Sequence, residues 1–200
     1  MNTNLTALAS PDEYDFDRPR QVSQTERIIE FYEEAGMDYG HWSTGFNMHL
    51  GYYRPGLNPF DREKMLEQMN LEVSARLRLD PPDKALLIDF GCGTGAIARS
   101  IAKNYSNSII KGVTISPSQV EIAAKLNVSE NLQEQIEILR CDYTELPFND
   151  GSADGVWAVE SACYAEGAAK EDRPRDGPRP EARRPVRGSR LLYQRPEEKV

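Results

Sequence analysis

Two hydrophobic rhythms divide this chain. Between residues 23 and 77 apolar side chains recur every three or four positions, whereas from Ala85 onward they come in short unbroken runs. The first rhythm predicts helices. Ser23 with Glu26 three residues later is a capping-box pair, and Ile28, Ile29, Tyr32 and Ala35 supply an apolar stripe that Gly36 stops. A second helix is expected from Asp61, whose carboxylate can cap free amides. It carries Met65, Met69, Val73 and Leu77 every four residues and is expected to end at Pro81 and Pro82. That spacing assigns Met65 and Met69 to packing.

The second rhythm predicts strands alternating with helices. ALLIDF (85–90) is a continuous apolar run, as expected of a strand covered on both faces. The turn GCGTG and the helical AIARSIAKN follow, then SIIKGVTI (108–115) as a second strand. Ser116, Pro117 and Gln119 mark a helix start. QIEILR (135–140) is a third strand, Asn149, Asp150 and Gly151 form a turn, and ADGVWAVE (153–160) is a fourth strand. Such alternation implies βαβ units and a parallel, Rossmann-like α/β sheet.

The expected organisation is a flexible segment over 1–22, a helical and aromatic lid over 23–82, a ligand-binding α/β domain over 83–169 and an irregular tail over 170–200. The tail is dense in arginine and proline and offers almost nothing that could pack on a sheet. The sheet is therefore expected to be truncated after about its fourth strand, leaving an unpaired edge and an incomplete crevice. Arginine, proline, glycine and alanine codons are all G/C-rich, so residues from about 171 are expected to come from a shifted reading frame. A disordered basic tail is the alternative. Translating the parent DNA in the other two frames separates the two.

Composition narrows the partners. A formal net charge of -8 repels phosphate backbones, which argues against nucleic acid. No apolar run approaches the ~18–20 residues that span a bilayer, and the N-terminus lacks the apolar core of a signal peptide. Cys92, Cys141 and Cys163 have no metal-ligand spacing and are read as reduced thiols of a soluble, cytoplasmic protein without a metal.

The chemistry concentrates at Ile88-Asp89-Phe90-Gly91-Cys92-Gly93-Thr94-Gly95. Glycines at the carboxyl edge of a strand let backbone approach a ligand closely, and the following helix offers free amides and partial positive charge. By itself this pattern suits many nucleotides, and Gly91, Gly93 and Ala96 also satisfy a dinucleotide-binding pattern. The threonine at 114 disfavours a nicotinamide, which calls for an acidic residue near there.

DFGCGTG followed by GVTISPSQ, CDYTELPF and VESACYAE resembles class I S-adenosylmethionine-dependent methyltransferases, nearest the branch of sterol and tocopherol C-methyltransferases and natural-product O-methyltransferases. The likeness covers about 84–166 and extends loosely to HWSTGFNMHLGYY, which resembles that branch's aromatic lid. It implies S-adenosyl-L-methionine as cofactor and a small, apolar or isoprenoid-like methyl acceptor, with a truncated, inactive cofactor-binding fragment as the alternative. By the same likeness Asp89, Gly91, Cys92, Gly93 and Gly95 hold the methionine end. Thr114, Ser116 and Gln119 sit beside the adenosine, where helix capping explains Ser116 and Gln119 equally well. Asp142 and Tyr143 meet the adenine. Glu160 stands where cofactor and acceptor should meet, as a base or a charge stabiliser. In the lid, His49 is a candidate base, although His41, Trp42, Asn47, His49, Tyr52 and Tyr53 would equally make a packing cluster between helices and sheet.

Overall fold

The computed structural model describes residues 23–36, 38–79, 84–149, 151–164 and 191–193. Three helices precede the sheet: α1 (Gln24–Ala35), α2 (Asp38–Trp42) and α3 (Arg62–Leu77). The capping box expected at Ser23 is formed in both directions, with Glu26 N–H donating to Ser23 Oγ at 3.1 Å and Ser23 N–H to Glu26 Oε2 at 2.8 Å. Asp61 caps α3 by accepting from Lys64 N–H at 3.2 Å. That helix stops at Leu77 because Arg78 turns left-handed (φ 50°), ahead of the prolines expected to end it. The expected prolines lie outside the described residues. The short helix α2 was not expected, since Gly40 in its middle lowers helix propensity.

The sheet carries β1 (Ala85–Phe90), β2 (Ser108–Thr114), β3 (Ile136–Arg140), β4 (Gly155–Ala158) and β5 (Leu191–Tyr193), with α4 (Ala96–Asn104) and α5 (Pro117–Ser129) as crossovers. All pairings are parallel and the order is β3-β2-β1-β4-β5. The sheet is the parallel α/β fold expected. The three-residue β5 beside β4 adds backbone pairing from Leu191-Leu192-Tyr193, an apolar triplet within the segment read as irregular tail. The remaining tail, 165–190 and 194–200, lies outside the described residues, and with it the reading-frame expectation. No helix among the described residues is long and apolar enough to cross a membrane.

The unbroken apolar run of β1 reflects burial on both faces. Leu87 packs with Val73, Leu77, Ile97, Ile101, Ile110 and Trp157, while its neighbour Ile88 points the other way to Ala153 and Val156. Strands β2 and β3 were laid on one side of β1 and β4 on the other. The order reverses between β1 and β4, and open α/β sheets place their ligands beyond the carboxyl ends of such a reversal.

Candidate functional site

A cavity of about 420 Å³ opens at that reversal, within the ~300–1,000 Å³ usual for small-molecule sites. The turn after β1 is pinned to β2, because Gly91 N–H and Cys92 N–H both donate to the Val113 carbonyl at 2.9 Å. Gly91 (φ 73°) and Gly93 (φ 55°) adopt backbone that a side chain resists, and they are closely covered. A Cβ on Gly93 would stand 2.9 Å from Met48 Sδ. Gly95 begins α4 without any side-chain cap, so first-turn amides and the positive end of the helix dipole face the cavity wall at Ala96 and Ile97. Gly95 itself shapes the turn without lining the cavity.

Asp89, the penultimate residue of β1, is 2% exposed and also borders the cavity. Burial pushes its carboxyl up to about 8, and the Trp157 indole N–H opposite pulls weakly the other way. Trp157 Nε1 reaches no acceptor at hydrogen-bonding geometry, and no cationic side chain pairs with Asp89 among the described residues. A buried carboxylate with no cation, next to uncapped amides and closely covered glycines, suits a ligand carrying both an ammonium and a carboxylate. The Cys92 thiol is pushed up by burial and by Asp89 beside it.

The second wall comes from β2 and α5. Thr114 Oγ1 donates to Gln119 Oε1 at 2.5 Å, and both residues line the cavity. Ser116 does not line it. Fully buried, its hydroxyl accepts from Gln119 N–H at 3.2 Å and donates to Glu33 Oε1 at 2.7 Å, so Ser116 caps α5 and ties it to α1. After β3, Asp142 Oδ1 accepts from the amide and hydroxyl of Thr144 at 2.8 and 2.7 Å, which orders this loop at the cavity rim. The Tyr143 ring stacks on Phe90 at 6.1 Å, and its hydroxyl donates to the Ser161 carbonyl at 2.8 Å.

Glu160 follows β4 with φ 55°, an uncommon backbone for a non-glycine residue and one that tends to cluster at functional sites. Its Oε1 accepts from Leu50 N–H at 2.9 Å, which ties the loop ahead of α3 to the strand end. Ser161 Oγ donates to the Phe90 carbonyl, closing β4 onto β1.

The aromatic segment between α1 and α3 divides. Tyr39, Phe46, Met48 and His49 reach the cavity; His41, Trp42, Tyr52 and Tyr53 do not. Trp42 lies under the Arg62 guanidinium at 4.5 Å. Both His49 ring nitrogens are engaged, Nδ1 at 3.0 Å from the Leu50 carbonyl and Nε2 at 2.9 Å from Asn70 Oδ1. Asn70 in turn donates to Asn47 and Glu67, and Ser100 of α4 donates to Glu67. This buried polar network joins the His49 segment to α3 and α4 and occupies both ring nitrogens, which His49 would have to free to act as a base.

Arg99 clamps the glycine turn to the loop at Gly45. At 2% exposure it donates from Nη1 to the Thr94 carbonyl at 2.5 Å and from Nη2 to the Gly45 carbonyl at 2.9 Å, and burial holds its guanidinium below the usual arginine range. Arg99→Met should leave both carbonyls unsatisfied and lower the urea-unfolding free energy by about 1–3 kcal/mol. An unchanged midpoint would show the clamp to be idle.

Sequence reasoning did not find α1 as part of this site, although Ser23, Ile28, Phe31 and Tyr32 line the cavity. Ile28, Phe31 and Tyr32 at i, i+3 and i+4 were the available signal, but the same spacing describes any core-facing helix. Ser161 and Tyr164 were also missed, though both lie within the VESACYAE segment.

Residues 88–175 match the family described as Methyltransferase domain. The chain is 28% identical over 153 residues to 24-methylenesterol C-methyltransferase 2 of Arabidopsis thaliana, covering 75% of this chain and 41% of the relative. It is 37% identical over 122 residues to an O-methyltransferase of Pyrenophora dematioidea, covering 60% and 44% respectively. Among solved structures, that of the [4+2]-cyclase SpnF aligns with a TM-score of 0.60 at 25% identity, covering 68% of this chain and 49% of that one. The chain thus spans less than half the length of these curated relatives. The segment that matches the methyltransferase-domain family, residues 88–175, is thus the one that builds most of the parallel sheet and opens a cavity at its reversal point.

Proposed function

We propose that this protein binds S-adenosylmethionine and directs methyl transfer to a small, apolar or isoprenoid-like acceptor. The observation that carries the reading is the buried Asp89, with no cationic partner among the described residues, facing the same cavity as the uncapped start of α4. The cofactor would supply an electrophilic methyl group on a sulfonium. Asp89 would receive the ammonium, and the amides after Gly93 the carboxylate. Thr114, Gln119 and the Asp142–Thr144 loop would border the adenosine. Phe31, Tyr32, Phe46 and Tyr143 give the cavity an aromatic wall that excludes water and favours positive charge, by about 0.5–2 kcal/mol per well-placed face. Glu160 would accept a proton from an acceptor hydroxyl or balance a developing cation. The sterol relative supports an isoprenoid-like acceptor, and three unpaired thiols fit cytoplasmic action.

Calorimetric titration with S-adenosylhomocysteine tests the reading, with NAD run alongside. Binding of the first and not the second is expected. Asp142→Ala should weaken it about 10-fold, by roughly 1–3 kcal/mol, as the rim loop loses its anchor and any adenine contact. Preference for NAD would end the proposal. A second reading is cofactor binding without methyl transfer, since the similarity extends to a protein named as a cyclase and not as a methyltransferase. Transfer of a labelled methyl group to a sterol or prenyl acceptor decides between the two.

A further inference from the structure

Helix α1 crosses the cavity mouth with hardly any core of its own. It has no fully buried residue, and Phe31 on its cavity side is 57% exposed. A helix of this length is marginal unless something holds it. Two adjacent residues do so, on opposite rims. Glu33 reaches the start of α5, where its Oε1 accepts from Ser116 Oγ at 2.7 Å and Ser118 N–H at 3.2 Å. A carboxylate there also meets the positive end of the α5 dipole. Tyr32 reaches the segment after β4, with its hydroxyl 3.2 Å from that of Tyr164 and the rings edge-to-face at 6.3 Å. One anchor follows β2 and the other follows β4, so the pair spans the reversal point from both sides.

We propose that Tyr32 and Glu33 are positioning residues that latch α1 across the cavity, and that release of this latch sets how fast a bound ligand leaves. The ligand named in the test rests on the function proposed above; the latch does not. Neither side chain is part of the core, so Tyr32→Phe combined with Glu33→Ala leaves the sheet intact. Hydrogen exchange on the ligand-free chain should show α1 amides exchanging at least ~10-fold faster in the double variant, with β1 and β2 unchanged. With the chain immobilised, S-adenosylhomocysteine should dissociate ~10-fold faster while its association rate stays nearly constant. Unchanged α1 exchange overturns the latch. Faster exchange with unaltered dissociation overturns its control of ligand release. If the unsubstituted chain binds no S-adenosylhomocysteine, the functional reading fails, and the exchange measurement alone decides the latch.

Discussion

Asp89→Asn is expected to stabilise the fold at pH 8 while weakening its hold on a cationic ligand. Burial raises the Asp89 carboxyl to about 8 in the folded chain, against about 3.9 for an exposed aspartate in the unfolded one. Between those values the unfolded state is ionised and the folded state protonated, so folding takes up a proton. The contribution of Asp89 to stability is therefore complete below about pH 4 and drains away as pH rises toward 8. Asparagine does not titrate, and the variant should gain on the order of 2 kcal/mol at pH 8 with little change at pH 4. Binding reverses the preference, because an ammonium beside Asp89 favours the carboxylate. At pH 7 the unsubstituted chain should release close to one proton per S-adenosylhomocysteine bound, seen as buffer-dependent calorimetric heats, and the variant none. Affinity should fall about 10- to 100-fold, as expected for losing a charge-assisted partner in a buried site. Parallel pH–stability curves for the two chains would remove Asp89 from this role.

Local rules made much of this fold legible, and long-range placement hid the rest. ALLIDF could only be a strand buried on both sides, and it is, because Leu87 and Ile88 feed separate clusters. Capping at Ser23, Asp61 and Ser116 depends on residues three positions away and was readable for the same reason. The glycine turn was readable because strand, turn and helix constrain one another. What each hydroxyl or imidazole touches depends on elements far along the chain. Ser116 was suited both to capping and to a ligand, and Glu33, 83 residues away, claims its remaining hydrogen. His49 had the chemistry of a base, yet Asn70 from α3 occupies one ring nitrogen. Helix α1 had ordinary amphipathic spacing, and nothing in its own composition says that the space beneath it is a cavity.

Gly91→Ala should be the most damaging single methyl group that can be added to the site. A Cβ there would lie 2.3 Å from Ser161 Cβ and 2.9 Å from Ser161 Oγ. Ser161 has little freedom to retreat, since its hydroxyl holds the Phe90 carbonyl and its own carbonyl holds Tyr143. The left-handed backbone adds about 1–2 kcal/mol for any residue with a Cβ, and forced overpacking about 1–3 kcal/mol more. Gly151 separates the two costs: it has a similar φ of 83° but nothing within 4 Å of a Cβ. Gly151→Ala should therefore lose only the backbone part. In urea unfolding Gly91→Ala should fall below Gly151→Ala by at least about 1 kcal/mol, the low end of the overpacking cost. It should also lose S-adenosylhomocysteine binding, because relieving the clash moves the loop that carries Glu160 away from β1. Equal losses at the two glycines, with binding retained in both, would mean that the strand ends are not locked together and that the cavity does not depend on their contact.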